Sequence, residues 1–189
     1  MLSRVKPREN RTLHVSVFAL AAIPLLVYLG SKMSDKVHTE LYQRHRSPES
    51  WNWRPDPRST HFDTRKLRDG TGQVALLVNV SGAIPSDAVA MVLGGDVTVY
   101  ELALAGQPST PLVLNTREDL GRFVVAFVLA LERIRAAHPG IRQLHVFPAV
   151  PAPVAISLGR HTLPKVGPQL VVYDRDKRSG TFLRSITIG

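Results

Sequence analysis

The sequence predicts an α/β fold with an open, mostly parallel sheet, organised as two related units of which the first is truncated. One observation is an internal repeat, because residues 17–37 and 146–166 align without a gap and share seven of 21 positions. Another is the alternation of short apolar runs with helical patterns over residues 73–189, which is typical of strand–helix–strand units. A third is the 44% hydrophobic content, which is enough to bury a core in 189 residues.

The repeat places like residues at like positions. The shared positions are Val17/Val146, Phe18/Phe147, Pro24/Pro153, Leu29/Leu158, Gly30/Gly159, Lys36/Lys165 and Val37/Val166. In the first copy, VSVFALAAIP predicts a strand, a loop and the start of a helix that runs from Pro24 to about Met33. A two-residue insertion then places Tyr42 against Tyr173 and Arg44 against Arg175 in the strands that follow. We expect both phenylalanines of the repeat to lie in the core.

The domain organisation follows from how much of the unit is repeated. Only its closing portion occurs near the amino terminus, so residues 1–60 are predicted to form a partial first unit. Residues 61–72 belong to a polar stretch, 54–72, that is predicted to be a linker or a hairpin joining the units, with the linker assigned to 61–72. Residues 73–189 are predicted to form the second unit.

The second unit opens with a buried strand. The run QVALLVNVSG at 73–82 is continuously apolar and ends in Ser-Gly, as expected for a parallel strand followed by a tight turn. A helix follows from Ile84 to Leu93, with Pro85 at its start and Gly94-Gly95 at its end. The run VTVYELAL at 97–104 predicts a second strand.

The clearest helix is predicted over residues 117–138, where apolar residues recur at three- and four-residue spacing and Thr116 can cap the start. A strand at 144–147, a helix from Pro153 to about Thr162, and strands at 169–174 and 181–188 complete the unit. In open α/β sheets, ligands bind beyond the carboxyl ends of strands. The loops at 81–85 and 147–153 follow two such ends.

The net charge of +9 and the pI of about 10.5 favour anionic partners such as nucleic acid, nucleotides or acidic lipids. Much of the basic excess lies in residues 1–68. The apolar run 15–29 follows a basic head and imitates a signal anchor over residues 13–30. Its length is below the roughly 20 residues of a spanning helix, Pro24 interrupts it, and it recurs at 146–166. A membrane role is therefore the weaker alternative.

Catalytic and metal-binding patterns are missing from the sequence. The chain contains no cysteine, and its seven histidines have no metal-ligand spacing. No HExxH, GxSxG or GxxxxGKS pattern is present. We therefore expect a binding protein with no enzymatic activity, no metal and no cofactor.

Two long segments resemble the sensor domains called SAVED. The first is HVSVFALAAIPLLVYLGSKMSDKVHTELYQRHRSPESWNW, and the second is FPAVPAPVAISLGRHTLPKVGPQLVVYD. The resemblance implies two fused Rossmann-like units of the CARF kind that bind a cyclic oligonucleotide messenger in bacterial antiphage defence. It also implies ligand-driven oligomerisation and a nuclease, TIR or protease effector, which this chain does not contain. A cytoplasmic location is expected for such a sensor.

A cyclic tri- or tetranucleotide offers phosphates, which bind cations and helix amino termini, and base faces, which stack on aromatic or guanidinium planes. The stretch YQRHR followed by WNW combines positive charge with both tryptophans of the chain. The two strand-end loops and the repeated lysine add further candidates. The candidate ligand-binding residues are Tyr42, Arg44, His45, Arg46, Trp51, Trp53, Ser81, Gly82, Pro148, Ala149, Pro151 and Lys165.

Several alternatives stay open. The tryptophans could cover the sheet edge, Ser81 and Gly82 could form an ordinary turn, and the repeated lysine could be surface charge. The whole chain could instead be a general nucleic-acid-binding protein, which would bind linear strands with a steep salt dependence.

Overall fold

The structure is a computed structural model that describes residues 14–33, 36–55, 60–162 and 166–189. Its helices and strands alternate in the order expected for an α/β protein. The elements are β1 (His14–Phe18), α1 (Ile23–Lys32), β2 (His38–Tyr42), β3 (His45–Arg46), β4 (Glu49–Ser50), β5 (Phe62–Arg68), β6 (Gln73–Asn79), α2 (Ser86–Leu93), β7 (Val97–Leu104), α3 (Arg117–Ala137), β8 (Gln143–Ala149), α4 (Ala152–Arg160), β9 (Gln169–Arg175) and β10 (Phe182–Ile188).

A six-stranded sheet with the order β10-β9-β8-β6-β7-β5 forms the centre of the protein. Its four inner strands are mutually parallel, whereas β5 and β10 pair antiparallel at the two edges. Strands β1 and β2 form a separate parallel pair, and β3 and β4 form a short antiparallel hairpin. The predicted open, mostly parallel α/β sheet is thus confirmed.

The segment predicted to be a linker contains a strand of the main sheet. Residues 62–68 form β5, which pairs antiparallel with β7 from Phe62 opposite Leu104 to Arg68 opposite Val99. The linker prediction for 61–72 is therefore wrong over these residues. The sequence FDTRKLR is polar because β5 is an edge strand with mostly exposed side chains. The division into units at 1–60 and 73–189 stays a prediction.

The sheet buries apolar residues on both faces, as a parallel sheet requires. One face packs against α1, α3 and α4 through residues such as Val27, Phe127 and Val154. The other face packs against α2 through Val89 and includes Phe147. Helix α3 begins as predicted, because Thr116 and Asp119 form a reciprocal capping box at its first turn.

The repeated segments share their strand register. In the first, β1 and β2 pair from His14 opposite His38, and in the second, β8 and β9 pair from Gln143 opposite Gln169. The rings of Phe18 and Tyr42 stack at 4.4 Å and 11°, and those of Phe147 and Tyr173 stack at 4.3 Å and 8°. These equivalences support the prediction of two related units.

Candidate ligand-binding site

A cavity of about 790 Å³ lies where two pairs of parallel strands end and two helices begin. The residues that follow β1, β2, β6 and β8 all reach it, as do the first residues of α1 and α4. The lining residues are Leu20, Ala21, Ile23, Leu26, Gln43, Arg44, His45, Arg46, Glu49, Arg54, Ser81, Pro111, Leu112, Val150, Pro151 and Ala152. This is the place in an open α/β sheet where ligands are expected.

The amino termini of α1 and α4 reach the cavity through Ile23 and Ala152. Neither helix has a side-chain cap or an acidic residue in its first turn. Each helix therefore presents the positive end of its dipole without a neutralising group of its own, which favours an anion between them.

The hairpin β3–β4 supplies positive charge to the same cavity. Arg44 forms an ion pair with Glu49, so part of its charge is neutralised. Arg54 donates hydrogen bonds from Nη2 to the carbonyl oxygens of Ser47 (2.7 Å) and Pro48 (3.1 Å), which fixes the hairpin turn. Among the described residues, no ion pair involves the exposed Arg46. Arg46 is the guanidinium most available to a ligand.

His45 is buried at the base of this hairpin, with 7% of its surface exposed. Burial, and then the nearby charge of Arg54, lower the pKa of its imidazole below the ordinary value of 6.5. Its Nε2 has no hydrogen-bond partner within the described part of the chain. A neutral imidazole with a free nitrogen can donate or accept one hydrogen bond from a ligand.

Hydrogen bonds fix the turn after β6 beside the loop after β8. The amides of Val80 (3.1 Å) and Ser81 (2.8 Å) both donate to the carbonyl oxygen of Ala149. Asn79 supports the turn, because its side chain accepts from the amide of Ile84 and donates to Glu101. The two strand-end loops that the sequence singled out are thus neighbours.

The aromatic candidates lie on different parts of the structure. The ring of Tyr42 stacks on Phe18, and Trp51 contacts Phe18 edge-on at a centroid distance of 5.4 Å. Trp53 is half-buried against the main core, and its Nε1 has no partner among the described residues. The two tryptophans therefore have different surroundings.

The structure brings most of the candidate residues to one region. Arg44, His45, Arg46, Ser81 and Pro151 line the cavity. Gly82 lies beside Ala149, since a Cβ added to this glycine would lie 3.7 Å from the Ala149 Cβ. Pro148 is different, because it is a buried residue of β8 itself. Lys165 lies outside the described residues.

Sequence reasoning missed several lining residues. Glu49 and Arg54 follow the basic stretch, and a carboxylate so close to several arginines could have indicated the ion pair that Glu49 forms with Arg44. Pro111 and Leu112 reach the cavity through tertiary packing, with the amide of Thr110 donating to the Val80 carbonyl oxygen at 3.2 Å. Their sequence carries no signal of that contact.

A second cleft, of about 1010 Å³, lies at the amino ends of the strands. Its lining includes Gln73, Gln143 and Gln169, the first residues of β6, β8 and β9. It also includes His138, where α3 ends. The negative end of the α3 dipole points there, and Arg142 and Arg184 also line the cleft. What distinguishes the first cavity is the pair of uncapped helix starts.

The described residues hold no group of three or more His, Asp or Glu side chains that could bind a metal ion. The segment considered as a signal anchor divides into β1 and the ten-residue α1. Within the described ranges, no helix has the length and apolar character needed to cross a membrane.

The strand-end cavity and the mostly parallel sheet define a Rossmann-like binding domain. Residues 2–188 match the family SAVED, described as "SMODS-associated and fused to various effectors sensor domain". The chain belongs to this family of sensor domains. No curated protein matches it.

Solved structures of one receptor share this fold. The chain is similar to the Acinetobacter baumannii Cap4 SAVED/CARF-domain containing receptor with the cyclic trinucleotide 2'3'3'-cAAA, with a TM-score of 0.65 and 14% identity over 93% of this chain and 38% of that one. The structure of the same receptor with 3'3'3'-cAAA has a TM-score of 0.63 and 14% sequence identity, and the match covers 94% of this chain and 38% of the receptor. A third structure of the receptor has a TM-score of 0.59 and 16% sequence identity, and the match covers 94% of this chain and 36% of the receptor. The chain thus spans less than two fifths of the length of this receptor.

Proposed function

We propose that the chain senses a cyclic oligonucleotide of three or four nucleotides, bound in the cavity of about 790 Å³ at the strand ends. The observation that carries this proposal is the meeting of two uncapped helix starts with Arg44, His45 and Arg46 around one cavity. The printed descriptions of the Cap4 structures, which name cyclic trinucleotides as ligands of that receptor, support it.

Each part of the cavity matches a part of such a ring. Phosphates accept hydrogen bonds from the guanidinium of Arg46 and from main-chain amides at the starts of α1 and α4. The free Nε2 of His45 can bind a base edge or a ribose hydroxyl. Trp51 contacts Phe18 and is not among the lining residues of the cavity, and it offers a further plane on which a base that reaches beyond the cavity can stack.

The wider role is part of the same proposal. Ligand binding promotes oligomerisation and activates an effector in antiphage defence, and the effector is a nuclease, TIR domain or protease from outside residues 1–189. The chain itself acts in the cytoplasm as a regulatory domain without catalysis. The family's description as a sensor domain fused to various effectors supports this role.

Calorimetric titration against cyclic di-, tri- and tetranucleotides tests the proposal, with linear oligoadenylate as the comparison. We expect tight binding of one tri- or tetranucleotide ring, and we expect Arg46→Gln to weaken it by at least about tenfold. Arg178→Gln is the matched control, because Arg178 is also exposed but lies between β9 and β10. Equal loss in both variants would contradict the assigned site.

Linear oligoadenylate separates the sensor from a general nucleic-acid-binding protein. Binding of the linear strand at least as tight as that of any ring, with affinity falling steeply as salt rises, would favour the general binder. A folded protein that binds neither rings nor linear strands would overturn the proposed function.

A further inference from the structure

The cleft of about 1010 Å³ at the amino ends of the strands, which we call the amino-end cleft, contains buried polar groups on an otherwise apolar face. The face that α2 covers buries Phe147 completely. Its repeat counterpart Phe18 is 54% exposed, so the expectation that both phenylalanines lie in the core is wrong for Phe18. His145 lies two residues before Phe147 on β8, and therefore on the same face, and lines the cleft. Tyr173 stacks on Phe147 and lines the cleft as well.

His145 and Tyr173 form a buried hydrogen-bonded pair. The Nδ1 of His145 lies 3.0 Å from the hydroxyl oxygen of Tyr173, and the two residues are 8% and 5% exposed. If the hydroxyl donates, the neutral ring carries its own hydrogen on Nε2. If the ring donates from Nδ1, the hydroxyl keeps its hydrogen for another acceptor. In either arrangement the pair retains one donor that no group within the described residues accepts.

Two arginines give the cleft positive charge. Arg142 precedes β8 and Arg184 lies on β10, directly opposite Tyr173 and so on the same face. Among the described residues, neither arginine forms an ion pair, and no described residue that lines the cleft is acidic. Burial, and then the charge of Arg184, lower the pKa of the His145 imidazole below 6.5, so this arginine acts on the buried pair.

Two helix carboxyl ends reduce this positive charge without cancelling it. Helix α2 ends at Leu93 and α3 at Ala137, and each dipole places about half a negative charge at its carboxyl end. Two guanidinium groups carry two full positive charges, so the sum stays positive. The helix ends also offer carbonyl oxygens, which accept hydrogen bonds from hydroxyl or amino groups. The side-chain amides of Gln73, Gln143 and Gln169 can both donate and accept.

We propose that the amino-end cleft is a second binding site, separate from the strand-end cavity, for a small phosphate ester that also carries hydroxyl or amino groups, such as a nucleoside monophosphate or a sugar phosphate. The phosphate binds Arg142 and Arg184 and accepts the free hydrogen of the His145–Tyr173 pair. The rest of the ligand contacts the glutamine amides and the carbonyl oxygens of the helix ends. The volume lies at the upper end of the range for small-molecule sites.

The two sites lie at opposite ends of the same strands. Strands β6 and β8 each run for seven residues from the amino-end cleft toward the strand-end cavity, which separates the sites by about 20 Å. This proposal therefore does not depend on the ligand of the strand-end cavity.

Calorimetric titration of the full chain with AMP, ribose 5-phosphate, adenosine and inorganic phosphate tests the site. We expect AMP to bind more tightly than inorganic phosphate and at least about tenfold more tightly than adenosine, because the phosphate makes the charged contacts. Tighter binding of AMP than of ribose 5-phosphate would assign a nucleotide ligand. Equal affinity for these two would assign a sugar phosphate.

Paired variants assign the contacts. Arg142→Gln and Arg184→Gln should each weaken AMP binding by at least about tenfold. Arg178→Gln is the matched control, because Arg178 is exposed between β9 and β10. Tyr173→Phe removes only the hydroxyl and should weaken AMP binding by about threefold or more, whereas Tyr28→Phe, at an exposed position of α1, should not.

The strand-end cavity is tested in parallel. The AMP binding that Arg184→Gln removes should persist in Arg46→Gln, and Arg184→Gln should bind the cyclic oligonucleotide as the unmodified chain does. AMP binding that is lost in Arg46→Gln and kept in Arg184→Gln would overturn the proposal, as would equal affinity for adenosine and AMP, or no binding of either phosphate ester. A chain that binds AMP through Arg184 and binds no ring would support this site and contradict the proposed function.

Discussion

Gly30 and Gly159 occupy equivalent places in the two repeats and make equivalent contacts where α1 crosses α4. A Cβ on Gly30 would lie 1.9 Å from the carbonyl oxygen of Ile156, and a Cβ on Gly159 would lie 1.9 Å from that of Val27. Val27 and Ile156 are themselves matched by the repeat. The two helices thus contact each other through related surfaces, and each glycine allows the backbones to approach closely.

Alanine at either glycine should destabilise the protein. Gly30→Ala and Gly159→Ala each place a methyl group against backbone that cannot rotate away, so we expect losses of about 1–3 kcal/mol or more in the free energy of unfolding. Gly121→Ala is the control, because it lies in α3 with no atom within 4 Å of an added Cβ. It should stabilise the helix by up to about 1 kcal/mol. Urea unfolding measures the free energy of unfolding of the three variants. Equal changes in all three would contradict the close contact between α1 and α4 at these glycines.

The accuracy of sequence reasoning depended on how local the signal was. Helix α3 was predicted well because its cap and apolar spacing lie within the segment itself. Strand β5 was missed because its pairing partner, β7, is distant in sequence and its own residues are polar. At the cavity, Arg44 to Arg46 were predicted from the combination of charge and nearby aromatic residues and do line it, whereas Leu112 reaches it through the packing of a distant loop. Trp53 could not be told from Trp51, because only tertiary packing decides which of the two contacts the main core.

The two tryptophans should respond differently to substitution. Trp53→Ala removes a half-buried side chain from the main core and should cost about 2 kcal/mol or more. Trp53→Phe should be tolerated, because the indole Nε1 has no partner among the described residues. Trp51→Ala should instead lower the affinity for the cyclic oligonucleotide by about fivefold or more, because one stacking contact with a base is lost. Urea unfolding measures the stability of each variant, and calorimetric titration measures its affinity for the ring. A large loss of stability in Trp51→Ala but not in Trp53→Ala would contradict the assignment of Trp53 to the core and Trp51 to ligand binding.

Removing the carboxylate of Glu49 should strengthen ligand binding. Glu49 pairs with Arg44 in the cavity, so it neutralises that guanidinium and repels phosphate. Glu49→Gln should raise affinity for the ring by roughly two- to tenfold at low salt, and the gain should shrink as salt screens the charge. Glu132→Gln, at an exposed position of α3, serves as the control. Weaker binding by Glu49→Gln would mean that the ion pair holds Arg44 in its binding position.

Stability should decrease as the solution is acidified from pH 7.5 to pH 5, because of three histidines: His45, His145 and His161. Burial is the main cause that lowers the pKa of each imidazole below the ordinary value of 6.5, and the charges of Arg54, Arg184 and Arg160, respectively, lower it further. Between 6.5 and the lowered pKa, the unfolded chain binds more protons than the folded one. The stability that the neutral imidazoles provide is therefore complete above about pH 6.5 and is lost as the pH falls through the lowered values.

Urea unfolding at several pH values measures this dependence, with a ceiling of about 1.4 kcal/mol per pH unit for each histidine. His45→Gln and His145→Gln should each flatten the dependence between pH 5 and 7.5. The lowered pKa values of Asp96, Asp119 and Asp176 act in a separate, more acidic range, because each carboxylate loses its stabilising effect only below its ordinary value of 3.8. A slope that persists in the triple variant His45→Gln/His145→Gln/His161→Gln would show that other groups cause it.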